Sequence, residues 1–438
     1  MVAIMSACGK EAPPAATPTP SPAPTATVVA VPTPALAPAP TVATQGIDVS
    51  KLKSASNRIA FVGADDQIYT ADKDGKDRIQ VTKDGTYSWP TWSPDGKSLA
   101  FSGLVRANNL RQIGLFLGSP FGGDISKIFT NDSRTPALIA YSLTHYIFWA
   151  PDSQKLMFIA QTPGTGLTMF LVNPFDVWNP TMLLGGGPLY STWSPDSKYV
   201  MVHRGSDSFL VDASAYPQAT DLGFASQAYR VPAWSPKGDR VLLAKESADG
   251  TDVMWIADGQ GKTIRALGKL DGQAAFLWSP DGEVIAVGKA NSDGFYGGLT
   301  IISKDGSSQK ALTNKEMVAF FWSPDGKKIM YATPPDNNDV MNWVLLDLLK
   351  GTEALVTRFI PSDEVSTMLG FFDQFAPSHS LWSPDSSYFA FSGFLPGTSD
   401  TEVPPGRLPQ PRVYMVDVAD GAPPRAVADG SLVVWSWK

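Results

Sequence analysis

The sequence predicts an all-β chain built from repeated four-stranded units, and three observations carry that expectation. A pentapeptide of the form Trp-Ser-Pro-Asp-Gly recurs along the chain. The residues around each copy alternate apolar and polar with period two, the pattern of a half-buried strand. Glycine and proline are abundant, at 38 and 37 of 438 residues, which favours many short strands over long helices.

The repeat starts at Trp92-Ser93-Pro94-Asp95-Gly96 and returns at Trp149, Trp193, Trp234, Trp278, Trp322 and Trp382, with a truncated copy at Trp435-Ser436. Successive tryptophans stand 57, 44, 41, 44, 44, 60 and 53 residues apart. Such periods suit a four-stranded propeller blade of about 40–45 residues with insertions. In each copy proline presets φ for a tight turn, aspartate tolerates the next position, and Gly or Ser leaves the turn. A short apolar strand ending in Trp precedes the turn. An alternating strand follows it, as at residues 98–102 and 328–332. Third strands such as residues 67–70 and fourth strands such as 78–82 and 311–313 complete the unit.

Eight first strands end at the eight tryptophans, and eight second strands start near residues 58, 98, 155, 198, 240, 284, 328 and 388. The first unit lacks its first strand, and the last unit is nothing else. Residues 432–435 are therefore expected to complete the N-terminal blade, closing an eight-bladed β-propeller with no open sheet edge. Seven blades is the alternative, with one irregular unit read as insertion.

The Trp-Ser-Pro-Asp-Gly turn followed by an x-Ile-Ala-Phe type of strand resembles the TolB-type propeller repeat, which also occurs in the propellers of dipeptidyl-peptidase-like proteins. The resemblance covers about residues 57–438 and specifies fold far more than function. TolB-like proteins carry an α/β domain before six blades, where this chain has a proline-rich tail. The peptidases add an α/β-hydrolase domain, and no Gly-x-Ser-x-Gly elbow is present here.

Upstream of the repeats, residues 1–8 end in Ser-Ala-Cys8 before Gly9. This resembles the lipobox of a bacterial lipoprotein signal peptide, with Met5 where leucine is usual and the basic n-region missing. Cys8 is thus the expected lipidation site. Residues 9–56 are rich in Pro, Ala and Thr and are expected to be a disordered tether, reaching roughly 150 Å if extended as polyproline II. The expected location is extracytoplasmic, in the periplasm or on the cell surface of a bacterium, held to a membrane by lipid only. Cys8 is the sole cysteine, which rules out an internal disulfide. Net charge is −7, which argues against nucleic acid as a partner.

Chemistry is sparse. No phosphate-binding Gly-x-x-x-x-Gly-Lys-Ser/Thr occurs. Asp72-Lys73-Asp74-Gly75-Lys76-Asp77 departs from a calcium loop and sits where a hairpin turn belongs. His145, His203 and His379 fall toward one face but in different blades, so no metal and no cofactor is expected. The repeated tryptophans are read as packing between blades, and the repeated aspartates as turn formers, since Lys237 replaces one of them.

First-to-second and third-to-fourth turns share one face of a propeller, and the remaining loops share the other. The long insertions, residues 103–111, 131–146, 359–380 and 394–411, belong to the second class. That face carries Trp89, Tyr141, Tyr146, Tyr190, Tyr229, Phe371, Phe372 and Phe375, with Arg230, Asp373 and Glu402 among them. Two readings stand: these residues cap the central channel, or, with His145 and His379, they form a binding surface. The expected function is a non-catalytic, monomeric binding or scaffold lipoprotein of the cell envelope that recognises protein, peptide or envelope glycan. The rival is a hydrolase or lyase acting on polysaccharide or peptide at the channel mouth.

Overall fold

The structure, a computed structural model, describes residues 53–107, 110–130, 146–162, 165–176, 180–214, 216–398, 409–419 and 421–438. Cys8, Tyr141, His145, Glu402 and nearly all of the expected tether lie outside the described residues. The fold is a β-propeller of antiparallel units. Five separate sheets have four strands each, for example Thr86–Trp92, Leu99–Ala107, Leu110–Gly118 and Ser126–Thr130. A further sheet contains ten strands.

Each unit grades from buried to exposed along its strand order. Second strands are buried on both faces, as in Leu156–Thr162 and Val241–Glu246, because each sheet packs against a neighbouring sheet on either side. Outer strands such as Gln218–Ala225 are largely exposed. This explains why the central runs read as apolar on both faces while the fourth strands are hard to see in sequence.

The pentapeptide turn is held by its own side chains. Ser93 donates its hydroxyl proton to Asp95 Oδ1 at 2.7 Å, and the same oxygen accepts the Lys97 N–H at 3.0 Å. Gly96 leaves the turn at φ +72°. Ser153, Ser197 and Ser386 adopt the same left-handed conformation at that position. There the hydroxyl accepts the N–H of Asp95, Asp152 and Asp325 respectively, each in the preceding repeat. Where Lys237 replaces the aspartate, Ser235 donates instead to Asp239, two residues on. In residues 72–77, Asp72 Oδ1 accepts the N–H groups of Asp74 and Lys76, which makes that segment a turn.

The repeated tryptophans tie each unit to the one before it. The indole N–H of Trp149 donates to Thr91 O at 3.2 Å, that of Trp193 to Phe148 O, and that of Trp278 to Ala233 O. Trp322 donates to Leu277 O and Trp382 to Phe321 O. In every case the acceptor immediately precedes the tryptophan of the previous unit. Trp92 extends the pattern to Val434 O, 342 residues away. Trp234 and Trp435 are buried without such a partner.

The last strand, Arg425–Trp435, is shared. Its first half pairs with Arg412–Asp417, and its second half pairs with Ile59–Gly63, matching Ile59 to Trp435 and Val62 to Leu432. The register shifts at Gly430, where a Cβ would lie 2.3 Å from Val62 O. Two expected insertions take other forms. Residues 103–111 fall mostly in the long hairpin of Leu99–Ala107 and Leu110–Gly118 rather than in a loop. Residues 359–380 contain two short helices.

The indole hydrogen bonds give a direct test. Trp149→Phe removes the bond to Thr91 O and is expected to cost about 0.5–1.5 kcal/mol more, in urea unfolding, than Trp234→Phe, whose indole has no partner to lose. Equal losses would remove the hydrogen bond as a stabilising link.

Candidate functional site

The insertion between Thr352–Pro361 and Tyr388–Phe394 closes one end of the central channel. Its first helix, α1 (Asp363–Gly370), starts at Ser362, whose hydroxyl accepts the Val365 N–H at 3.3 Å. Asp363 and Glu364 place negative charge in the first turn, where the helix dipole favours it. Val365, Met368 and Leu369 are buried. The second, α2 (Phe372–Phe375), is buried throughout and packs against the first strands Leu189–Trp193, Ala274–Trp278 and Ala319–Trp322.

Each residue of α2 meets residues outside the insertion. Gln374 accepts the Ser191 N–H at 3.0 Å and donates to Ser191 O at 3.1 Å, so its side chain pairs with the strand edge as a backbone would. Asp373 forms an ion pair with Arg230, at 3.0 Å and 3.2 Å to its two oxygens. Arg230 also donates to Tyr296 Oη at 3.0 Å and to Gly370 O. Phe375 stacks on Trp89 at 5.0 Å and meets the edge of Tyr146. Phe372 packs among Tyr296, Phe320 and Phe321. His379 Nε2 lies 3.0 Å from Thr91 Oγ1, and its Nδ1 lies 2.8 Å from Ser378 Oγ.

Burial sets the electrostatics here. It holds the Asp373 carboxyl above the usual carboxylate range, with Arg230 opposing the shift. Burial also pulls Arg230 downward, and the Asp373 carboxylate together with Tyr296 and Tyr190 more than offsets that pull. His379 is pushed down to about 3 by burial and is neutral at pH 7.

The aromatic set expected as a contact surface is therefore mostly interior. Trp89, Tyr146, Tyr229, Phe372, Asp373 and His379 are all buried, because the insertion folds inward and they pack on one another. Tyr190 and Arg230 are partly buried, and Phe371 alone of the described set is exposed, with Arg230 5.5 Å from its ring. The structure thus replaces an open binding face with a plug. His203 and Tyr229 serve a neighbouring role. His203 places its two ring nitrogens against Arg230 O and Ser226 O, stacks on Tyr229 at 4.3 Å, and so holds the loop that presents Arg230.

The concave surface lies at the other end, among the short turns. Two adjoining chambers of about 380 and 400 Å³ open there. Pro94, Pro151 and Pro195 line one, Pro280, Pro324 and Pro384 line the other, and Pro236 borders both. The repeat tryptophans, Trp92 to Trp382, form the walls behind them. Pro377 from the plug and Trp437 from the C-terminus border both chambers, as do Thr192 and Trp234. Among the described residues, Asp373 and His379 are the only titratable side chains lining the mouth, and both are already engaged. Among the described residues no three His, Cys, Asp or Glu side chains gather as metal ligands.

Sequence reasoning assigned the repeat prolines to turn geometry alone and passed over Trp437. The available signal was the fixed spacing of Trp and Pro in each full pentapeptide copy, which brings one proline from each to the mouth.

No family model and no curated protein matches this chain. Solved structures do. A dihydro-heme d1 dehydrogenase, NirN, in complex with DHE is 14% identical with TM-score 0.53, over 89% of this chain and 76% of that one. A eukaryotic initiation factor structure is 10% identical with TM-score 0.50, over 87% and 98% of the two chains. TolB from Acinetobacter baumannii is 15% identical with TM-score 0.39, over 77% and 82%. The TolB-type propeller resemblance of the repeat thus has solved TolB structures among its matches.

The buried histidine predicts a pH dependence. Between about 6.5, the ordinary value, and 3 the unfolded chain binds a proton that folded His379 refuses. Its contribution is complete above pH 6.5 and falls by about 1.4 kcal/mol per unit of acidification below it. His379→Asn should flatten that loss in denaturation measured from pH 7 to pH 4; an unchanged slope would show that the group titrates freely.

Proposed function

We propose that this chain is a non-catalytic, extracytoplasmic binding propeller that engages protein, peptide or envelope-glycan partners through the mouth on its short-turn face. The observation that carries this reading is the apolar mouth itself. Every pentapeptide repeat contributes a proline and a tryptophan to it, while the opposite end of the channel is filled by α2. A concave apolar surface with a few placed polar groups is the usual form of a binding site. The two titratable groups at the mouth are committed to Arg230, Thr91 and Ser378, which favours binding over acid–base chemistry.

The same proposal includes eight blades and a closed ring. Five four-stranded sheets stand alone, and the ten-stranded sheet divides into three further units. Ala319–Trp322 to Thr352–Pro361 form one. Trp382, Tyr388–Phe394, Arg412–Asp417 and residues 425–429 form the next. Residues 432–435 with Ile59–Gly63, Ile68–Ala71 and Ile79–Gln80 form the last. The lipobox-like sequence at Cys8 and the proline-rich stretch after it support display of a monomer from a bacterial membrane by a lipid anchor.

Two experiments test the reading. The immobilised full chain should retain partners from a bacterial envelope extract that Trp437→Ala loses and Ile264→Ser, on an exposed outer strand, keeps. An identical set on the Trp437 variant would exclude the mouth. Mass analysis of the mature N-terminus should find residue 8 acylated, and an unmodified cysteine there would end the anchor proposal.

A further inference from the structure

The two described histidines satisfy their ring nitrogens in different ways. His379 faces the hydroxyls of Thr91 and Ser378, at 3.0 and 2.8 Å. A hydroxyl donates or accepts, so a neutral ring with one N–H and one bare nitrogen is matched there. His203 is equally buried, but its Nδ1 lies 2.9 Å from Arg230 O and its Nε2 lies 3.0 Å from Ser226 O. A carbonyl oxygen only accepts. Both contacts are hydrogen bonds only when both ring nitrogens carry a proton, which is the imidazolium. In the neutral ring a bare nitrogen faces a carbonyl oxygen, lone pair to lone pair, away from water.

The surroundings suit that cation. Tyr229 lies flat on the His203 ring, with centroids 4.3 Å apart and planes 3° from parallel, and presents its π face. Burial pushes the Tyr229 hydroxyl up, with Ser208 opposing and Asp252 adding to the rise, so it stays protonated. Tyr190, on the strand Leu189–Trp193, is the other ring beside His203, at 6.5 Å. The neighbouring charges are paired with one another: Arg230 with Asp373, and Arg204 with Asp207. The hydrogen-bonding partners of the His203 ring are the two carbonyls.

This bracket sits where the ring of units lacks its usual tie. Between the units of Trp193 and Trp234 the indole bond is missing, and the fifth turn position is Gly238, which has no hydroxyl. His203 belongs to the first of these units, and residues 226–230 lead into the second. The same loop reaches one unit further, where Ala228 O accepts the Ala274 N–H at 2.7 Å. Its Arg230 side chain holds Asp373 and Gly370 O of the plug.

We propose that His203 is a proton-operated clasp: doubly protonated, it fastens residues 226–230 at both ends, and with them the Arg230 grip on the plug, and loss of one proton opens one end. The device is independent of what the mouth binds. Its sign is opposite to that of His379. The clasp is closed on the acid side of the His203 titration and loosens on the alkaline side, so its share of stability is lost as pH rises.

The test is nuclear magnetic resonance of the full chain carrying nitrogen-15-labelled histidine, titrated from pH 8 to pH 5, alongside amide hydrogen exchange corrected for its intrinsic pH dependence. At the acid end both His203 ring nitrogens should be protonated, the signals being identified by their loss in His203→Gln. As the second proton leaves, exchange of residues 226–230 and 371–375 should accelerate about tenfold, the equivalent of one buried hydrogen bond. In His203→Gln, whose amide offers donors from a single nitrogen, exchange of both segments should be fast and indifferent to the same titration. Thermal melting checks that the variant is folded, and exchange in the unaltered chain carries the test should it fail to fold. A His203 ring that keeps a single proton down to pH 5, or loop exchange that ignores pH, would overturn the proposal. Acceleration confined to residues 226–230 would overturn the link to the plug.

Discussion

The structure depends on a donor reaching backward. Each repeat tryptophan fills the space between two sheets, and in six cases its N–H finds the carbonyl just before the previous tryptophan. A buried indole needs such a partner, since leaving the donor unpaired costs about 1–3 kcal/mol. Neighbouring units are therefore placed by the same contact each time, and their turns arrive at the same height around the channel. The serine hydroxyls at the fifth turn position add a second tie of the same handedness where glycine is absent.

That regularity has a consequence for the channel. First strands repeated around an axis leave a core that side chains must fill or water will. At the long-loop end the filling comes from one insertion, which uses an ion pair, an amide that mimics a strand and three aromatic contacts to reach several units at once. At the short-turn end the filling stops at the prolines. The two ends thus differ in kind, and Pro377, just beyond α2, borders both chambers of the concave mouth.

Local periodicity made the repeats, their turns and the pairing of residues 432–435 with the first strand legible in sequence. Asp95 and its equivalents were legible as turn formers because a side chain that caps its own loop acts within two residues. The plug was half legible. Capping of the channel was one of two readings, but the inward course of residues 371–380 depends on partners such as Gln374 and Ser191, 183 residues apart. No window of sequence carries that contact. Trp89 and Phe372 look the same on paper whether they face solvent or each other, because aromatic side chains suit both an interface and a core. The residues 103–111 were misjudged for a simpler reason: a hairpin extended beyond the sheet and a loop share the same glycine and polar content.

The strand Arg425–Trp435 serves two units, one with each half, and its partner Ile59–Gly63 lies at the opposite extreme of the folded region. During synthesis the hairpin of Ile59–Gly63 and Ile68–Ala71 must therefore wait, with one edge uncovered, until some 370 further residues have been made. Contacts of such sequence separation are slow to form, and an uncovered edge invites pairing with a foreign strand. The seam that joins the extremes is consequently the point at which nascent copies of this chain are most exposed to mispairing with one another.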